Sequence, residues 1–191
     1  MSTVETIAQS LETVNLRSET PLYKLIDTVE ECKQICDTIL ESKKDVAFDF
    51  EGINLCRNGE LCLAPLSIKD DNIVKLIDIT VLGKHAFEEG KLRDVLESPN
   101  IYKIIYDPRS DSDALYHQFN VRMQKVIDIQ ITFYYWKNTG RFVKSFASAL
   151  ESYFSLSNIN GSKFLNIKEQ GRSIFSPEHG GDYNTWKTRP L

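Results

Sequence analysis

The chain has 191 residues, 41% of them hydrophobic and 26% charged, with a net charge of −4, values ordinary for one soluble globular domain with a sizeable core. No apolar run approaches the roughly 20 residues of a membrane span, and residues 1–18 are too polar and acidic for a signal peptide. Cys32, Cys36, Cys56 and Cys62 form no CxxC pair, which points to reduced thiols in a cytoplasmic or nuclear protein rather than to a zinc site. Charge is uneven: residues 1–120 carry 13 Lys+Arg against 22 Asp+Glu, and residues 121–191 carry 10 against 5. A polyanion partner needs a local basic face rather than a basic total, and the C-terminal third can supply one, although a plain solvated surface explains the same asymmetry.

Residues 1–20 lack apolar periodicity and end at Thr20-Pro21, so they read as an N-terminal arm, with the domain proper over 21–191. Leu22–Ile26 is the first predicted strand. Asp27-Thr28-Val29-Glu30-Glu31 then opens a helix with a cap and an acidic first turn, and Cys32, Ile35, Cys36, Ile39 and Leu40 form its apolar stripe. Val46–Gly52 reads as a buried strand. Leu55–Arg57 and Glu60–Ile68, joined by Asn58-Gly59, predict a hairpin with a two-residue type I′ turn. Ile73–Ile79 follows as a strand, so the early strands are antiparallel. Lys84–Glu97 is a predicted helix closed by Ser98-Pro99-Asn100, and Ile101–Tyr106 is another buried strand. Asp111–Phe119 is a helix, and Val126 starts a short strand that passes into a helix at Asp128. Lys144–Phe154 is a helix with Phe146, Leu150, Tyr153 and Phe154 inward, and from Ser155 the Gly- and Pro-marked chain reads as loop. This order of elements suits an α/β sheet with helices on its faces, the Ile101–Tyr106 strand lying beside the Val46–Gly52 strand.

Chemistry concentrates in two places. Asp49 and Glu51 lie on one side of the Val46–Gly52 strand by its period of two. Two like charges side by side in a buried strand cost several kcal/mol each, roughly, unless a cation neutralises them. A divalent metal would do so; so would water, if the strand end emerges into solvent. The second place is Lys103–Asp111, where a buried strand, a tight turn and a helix start set Asp111 beside the end of the acidic strand. Asp111 alone is explained as a helix cap. Together with Asp49-x-Glu51 it is more specific.

On these residues the chain resembles the DEDD superfamily of 3′–5′ exonucleases, the RNase D and DnaQ-like group, and most closely its Egalitarian-like branch. Phe48-Asp49-Phe50-Glu51-Gly52 matches the first motif, and Lys103 through Phe119, with Asp111 on its carboxylate, matches the second. Val126–Gln130 matches the segment that follows, and Gly180-Gly181 with Trp186–Leu191 resembles the approach to the third motif. The resemblance spans roughly residues 22–191 and implies a ribonuclease H-like mixed sheet with helices on both faces. It further implies two Mg²⁺ or Mn²⁺ ions, with Asp49, Glu51 and Asp111 as catalytic and metal-binding residues, hydrolysing nucleic acid from its 3′ end. The expected partner is single-stranded nucleic acid, RNA by family analogy, with protein partners open and no membrane. Phe50 and Leu55 are candidate neighbours of the terminal base. Lys137, Arg141, Lys144, Lys163, Lys168 and Arg172 are candidate nucleic-acid contacts. The family's third motif, a Tyr or His followed after three residues by Asp, belongs after Arg-Pro-Leu, where this sequence stops. The expectation is therefore a chain cut before its final helix and weak or inactive as it stands. His85, His117 and His179 do not fill that place and read as surface residues. The competing expectation is a catalytically silent exonuclease fold that binds RNA or proteins.

Overall fold

The computed structural model describes residues 22–137, 142–154 and 159–190, without the side chains of 153–154 and 159–165. The expected arm at residues 1–20, the Arg141 and Lys163 candidates, and the inward placement of Tyr153 and Phe154 lie outside what is described.

Seven strands form one mixed sheet: β1 (Leu22–Ile26), β2 (Val46–Phe48), β3 (Glu51–Ile53), β4 (Glu60–Ile68), β5 (Ile73–Asp78), β6 (Lys103–Ile105) and β7 (Val126–Asp128). Their order is β1-β5-β4-β2-β6-β7, with β3 also on β4. β4 is antiparallel to β2, β3 and β5, whereas β1–β5, β2–β6 and β6–β7 are parallel. The expected adjacency is there: Val46 pairs with Lys103 and Ala47 with Ile104.

Among the described residues there are seven α-helices: α1 (Val29–Ser42), α2 (Ile79–Leu82), α3 (Leu92–Leu96), α4 (Arg109–Phe119), α5 (Ile129–Lys137), α6 (Phe146–Phe154) and α7 (Ile159–Phe175). The chain divides into two compact units, Pro21–Ile129 with Glu169–Leu191, and one containing Gln130–Lys168. In the first, Cys32, Cys36 and Ile39 of α1 join Phe48, Leu66, Ile77, Val95, Ile105 and Leu115 in one fully buried core. Helix α1 starts as the sequence requires, its N-cap Thr28 accepting the Glu31 N–H at 3.3 Å. All four cysteines are free thiols.

Five expectations are corrected. The acidic strand is interrupted at Asp49-Phe50, although its register against β4 carries through, Phe48 opposite Leu66 and Glu51 opposite Leu63. Asp49 donates its N–H to the Pro65 carbonyl at 3.1 Å, and Pro65 has no N–H to return. The ladder therefore loses a rung there. The hairpin loop is Asn54–Gly59 and not a two-residue turn; Asn54 takes the left-handed φ of 45°, while Asn58 and Gly59 lack the positive φ a type I′ turn needs. The helix expected over 84–97 is a 3₁₀ turn at Gly83–Ala86, a bend, and α3. Lys91 is left-handed with φ 58°, and at Gly90 a Cβ would lie 3.0 Å from the Cys32 sulfur, so the bend lets this segment approach α1. Beyond Ser155 the chain is helical over Ile159–Phe175 rather than looped: Asn160-Gly161 falls in the first turn, where many backbone N–H groups are unpaired anyway. Phe146 is exposed on the first turn of α6, not turned inward.

Candidate functional site

β2 and β6 run parallel, so their carboxyl ends open on the same side of the sheet, where α/β folds place their ligands. Asp49 lies just past the end of β2. After β6 the chain passes through Asp107, which adopts φ 57°, and Pro108, into α4, whose first turn holds Asp111. The helix begins two residues earlier than the sequence suggests, at Arg109, and Pro108 caps it without a side-chain bond. Asp111 is thus not the cap. It is a buried carboxyl group, 6% exposed, in the third helical position.

Burial pushes the Asp111 carboxyl up to about 7, and the charge of Asp49 pushes in the same direction. Bonding to its own backbone N–H opposes the rise, and Asp107 adds a smaller push upward. Asp49 and Asp111 therefore share one electrostatic field at the strand ends. Asp49 is exposed, and its Oδ1 accepts the Phe50 N–H at 3.1 Å. Glu51, the first residue of β3, is half-buried. Among the described residues, no group of three His, Cys, Asp or Glu side chains is gathered closely enough to hold a metal ion.

Two acidic neighbours escaped the sequence reading. Asp128, at the end of β7, accepts the Asp107 N–H at 3.1 Å and helps raise the Tyr106 hydroxyl above its usual range, after burial. Asp107 is held by Arg109, Nη2 to Oδ2 at 2.7 Å. Their signal was present, since Asp107 falls inside the second motif and Asp128 inside the segment after it.

The nucleic-acid candidates fare unevenly. Phe50 is a correction: at 3% exposure, stacked on Phe48 with ring centroids 5.4 Å apart, it offers a base no face. The alternation that sets Asp49 and Glu51 on one side of the strand sets both phenylalanines on the other, in the core. Leu55 is half-buried against the core. Lys137 lies over the Trp136 ring at 3.9 Å, and Lys168 over Phe146 at 5.6 Å. Lys144 is exposed, and its carbonyl accepts from Gln130 at 3.2 Å. These three belong to the Gln130–Lys168 unit. Arg172 lies in the other unit, 3.6 Å from Glu169. The side chains of His85, His117 and His179 are 39–54% exposed, as expected of surface residues.

A family model described as 3′–5′ exonuclease matches residues 23–165. The chain belongs to the 3′–5′ exonuclease family. It is 31% identical over 173 residues to the mouse piRNA biogenesis protein EXD1, covering 88% of this chain and 29% of the relative. It is 28% identical over 89 residues to the Egalitarian protein homolog of Caenorhabditis elegans, covering 47% of this chain and 15% of that one. The chain thus spans under a third of the length of the mouse relative. Among solved structures it resembles Trypanosoma brucei RNase D in complex with GMP, with a TM-score of 0.72 and 23% identity, covering 90% of this chain and 50% of that chain. Escherichia coli RNase D, an exoribonuclease involved in structured RNA processing, follows with a TM-score of 0.60 and 21% identity, over 88% of this chain and 38% of that chain. At those identities the likeness shows the fold, the ribonuclease H-like mixed sheet of the exonuclease family. No helix among the described residues is long and apolar enough to cross a membrane.

Proposed function

We propose that this exonuclease-family domain removes nucleotides from the 3′ end of single-stranded RNA, with Asp49, Glu51 and Asp111 as its acidic centre. The observation that carries this is the buried Asp111 carboxyl, raised to about 7 by burial and by Asp49 at the ends of adjacent parallel strands. The charge of Asp49 beside the buried Asp111 carboxyl forms a standing demand for positive charge. Their hard oxygen donors fit Mg²⁺ or Mn²⁺, and Glu51, two residues along from Asp49, is the third ligand of the proposal. A divalent cation held there supplies charge stabilisation and an activated water for phosphodiester hydrolysis. Asp49 and Asp111 would hold it, and the buried position of Asp111 limits its exchange with bulk water. RNA as substrate draws support from a neighbour of known structure, a Trypanosoma brucei RNase D in complex with RNA U12. Lys137, Arg141, Lys144, Lys163, Lys168 and Arg172 are the proposed phosphate contacts, residues 1–20 the proposed arm of a 21–191 domain, and cytoplasm or nucleus the compartment this reading calls for.

The second reading is a silent exonuclease fold that binds RNA or protein partners. It fits the likeness to the piRNA biogenesis protein EXD1 as well as the first reading does. The experiment incubates 5′-labelled single-stranded RNA with Mn²⁺ and the protein, including any residues its gene encodes after Leu191, beside its Asp49→Asn variant. A ladder of products shortened from the 3′ end, lost in Asp49→Asn, is expected; bound but uncut RNA in both samples puts the adaptor reading in its place.

A further inference from the structure

Two polar residues of α4 take no part in the chemistry above, yet each reaches far back along the chain. Asp113 Oδ2 accepts the Arg57 backbone N–H at 2.7 Å and its Nε at 3.3 Å, while Oδ1 accepts Nη2 at 2.7 Å. Gln118 Oε1 accepts the Leu61 N–H at 3.1 Å, and Nε2 donates to the Cys56 carbonyl at 2.8 Å. Four of these bonds tie α4 to the Asn54–Gly59 loop, which a free hairpin turn would leave to solvent, and the fifth, to Leu61, ties it to the start of β4. The Asp113 carboxyl is held well below its usual range by the Arg57 side chain, as a charge-assisted fork requires. The loop continues β3, the strand of Glu51, and α4 carries Asp111, so the latch binds together the two elements that bring acids to the centre.

We propose that Asp113 and Gln118 are positioning residues that hold the Asn54–Gly59 loop as a fixed rim for the 3′-terminal nucleotide of single-stranded RNA; this rests on the reading of the acidic centre given above. A six-residue loop left free would lose conformational entropy each time it closed on a strand end, and a latched loop has lost it already. The latch also sets the direction of Arg57. Its side chain is 57% exposed although Asp113 takes Nε and Nη2, which leaves Nη1 as a donor toward a phosphate. Leu55, half-buried on the same loop, would sit beside the terminal base.

The test is binding, so that it does not depend on cleavage. Affinities for a linear RNA with a free 3′-hydroxyl and for a circular RNA of the same sequence are measured in Ca²⁺, for the parent, Asp113→Asn, and Asp113→Leu with Gln118→Leu. The parent is expected to prefer the linear strand about tenfold, equivalent to about 1.4 kcal/mol. Asp113→Asn keeps an acceptor for the Arg57 N–H but loses the ion pair, and should keep part of the preference. The double variant should bind both RNAs alike, with its Arg57 and Leu61 amides exchanging with solvent much faster than in the parent. A double variant that keeps the full preference while those amides exchange freely overturns the inference and leaves the exonuclease reading intact. If the double variant does not fold, a full parental preference in Asp113→Asn overturns it instead. A parent with no preference for an end overturns both.

Discussion

The carboxyl group of Asp111 ties the stability of this domain to pH. Its proton affinity is set to about 7 by burial first and the Asp49 charge second, against an unfolded value of roughly 3.9. Between those values the folded chain holds a proton that the unfolded chain has released. Stability therefore falls as pH rises from about 4 to 7 and carries the full penalty above that range. A rise of this size amounts to a ceiling of about 4 kcal/mol. Asp111→Asn should be more stable than the parent at pH 8 without metal, and the advantage should vanish near pH 4; urea unfolding at both pH values reads it, and equal differences at the two would contradict it. A cation held by the proposed centre would invert the sign. Adding Mn²⁺ at pH 8 should raise the melting temperature of the parent and leave Asp49→Asn unmoved, whereas equal shifts would place the ion elsewhere.

At the scale of elements, the β3–β4 hairpin owes its form to contacts that sequence order hides. A Cβ at Gly52 would sit 1.9 Å from the Glu60 carbonyl oxygen, a backbone atom of the paired strand that cannot step aside, and the register shifts between Glu51 and Gly52. Gly52→Ala should cost about 3 kcal/mol, at the upper end for overpacking, and a urea midpoint within experimental scatter of the parent would contradict this. The pattern explains what was legible. Val46–Phe48 is a short apolar run between turn signals, and Lys103–Ile105 lies inside the largely apolar Ile101–Tyr106, so both strands and their neighbourhood could be read locally, as could the Thr28 cap. The interruption at Asp49 could not, because its cause is Pro65 on another strand. Nor could the true loop, since Asn58-Gly59 is the stronger local signal and the bonds from Asp113 and Gln118, more than 50 residues away, decide against it. Of the proposed centre, Asp49 and Glu51 were legible as a pair because their spacing is local, and Asp111 because it follows a buried strand and a tight turn. The orientation of Phe50 followed from the same alternation but was outweighed by its place in the motif. The burial of Lys103, whose ammonium donates to the Ser98 carbonyl at 2.6 Å and whose proton affinity burial lowers to about 8, leaves no mark in the sequence at all.

At the scale of the whole chain, the unit that carries Asp111 closes by a contact spanning 111 residues. Asp78, 1% exposed, caps α2 through the Val81 N–H at 3.1 Å and receives a two-pronged ion pair from Arg189, with Nη2 to Oδ1 at 2.6 Å. The same guanidinium donates to the Trp186 carbonyl at 2.8 Å, and the Trp186 ring stacks on Phe175 with centroids 3.7 Å apart. Residues 175–189 are thereby strapped back onto the strand end at Asp78, and Lys187 pairs with Glu60 at the start of β4. A buried ion pair of this kind adds little net stability over an apolar replacement, but losing one partner leaves a buried charge alone. Arg189→Met should therefore cost about 3 kcal/mol or more, and adding Asp78→Asn to it should recover part of that loss, because the neutral amide still caps α2 and no longer needs a cation. Chemical unfolding of the parent, the single and the double variant measures both effects. A single variant as stable as the parent would mean that Asp78 finds its compensation elsewhere. A double variant less stable than Arg189→Met alone would mean that the cap, not the charge, is what the strap protects.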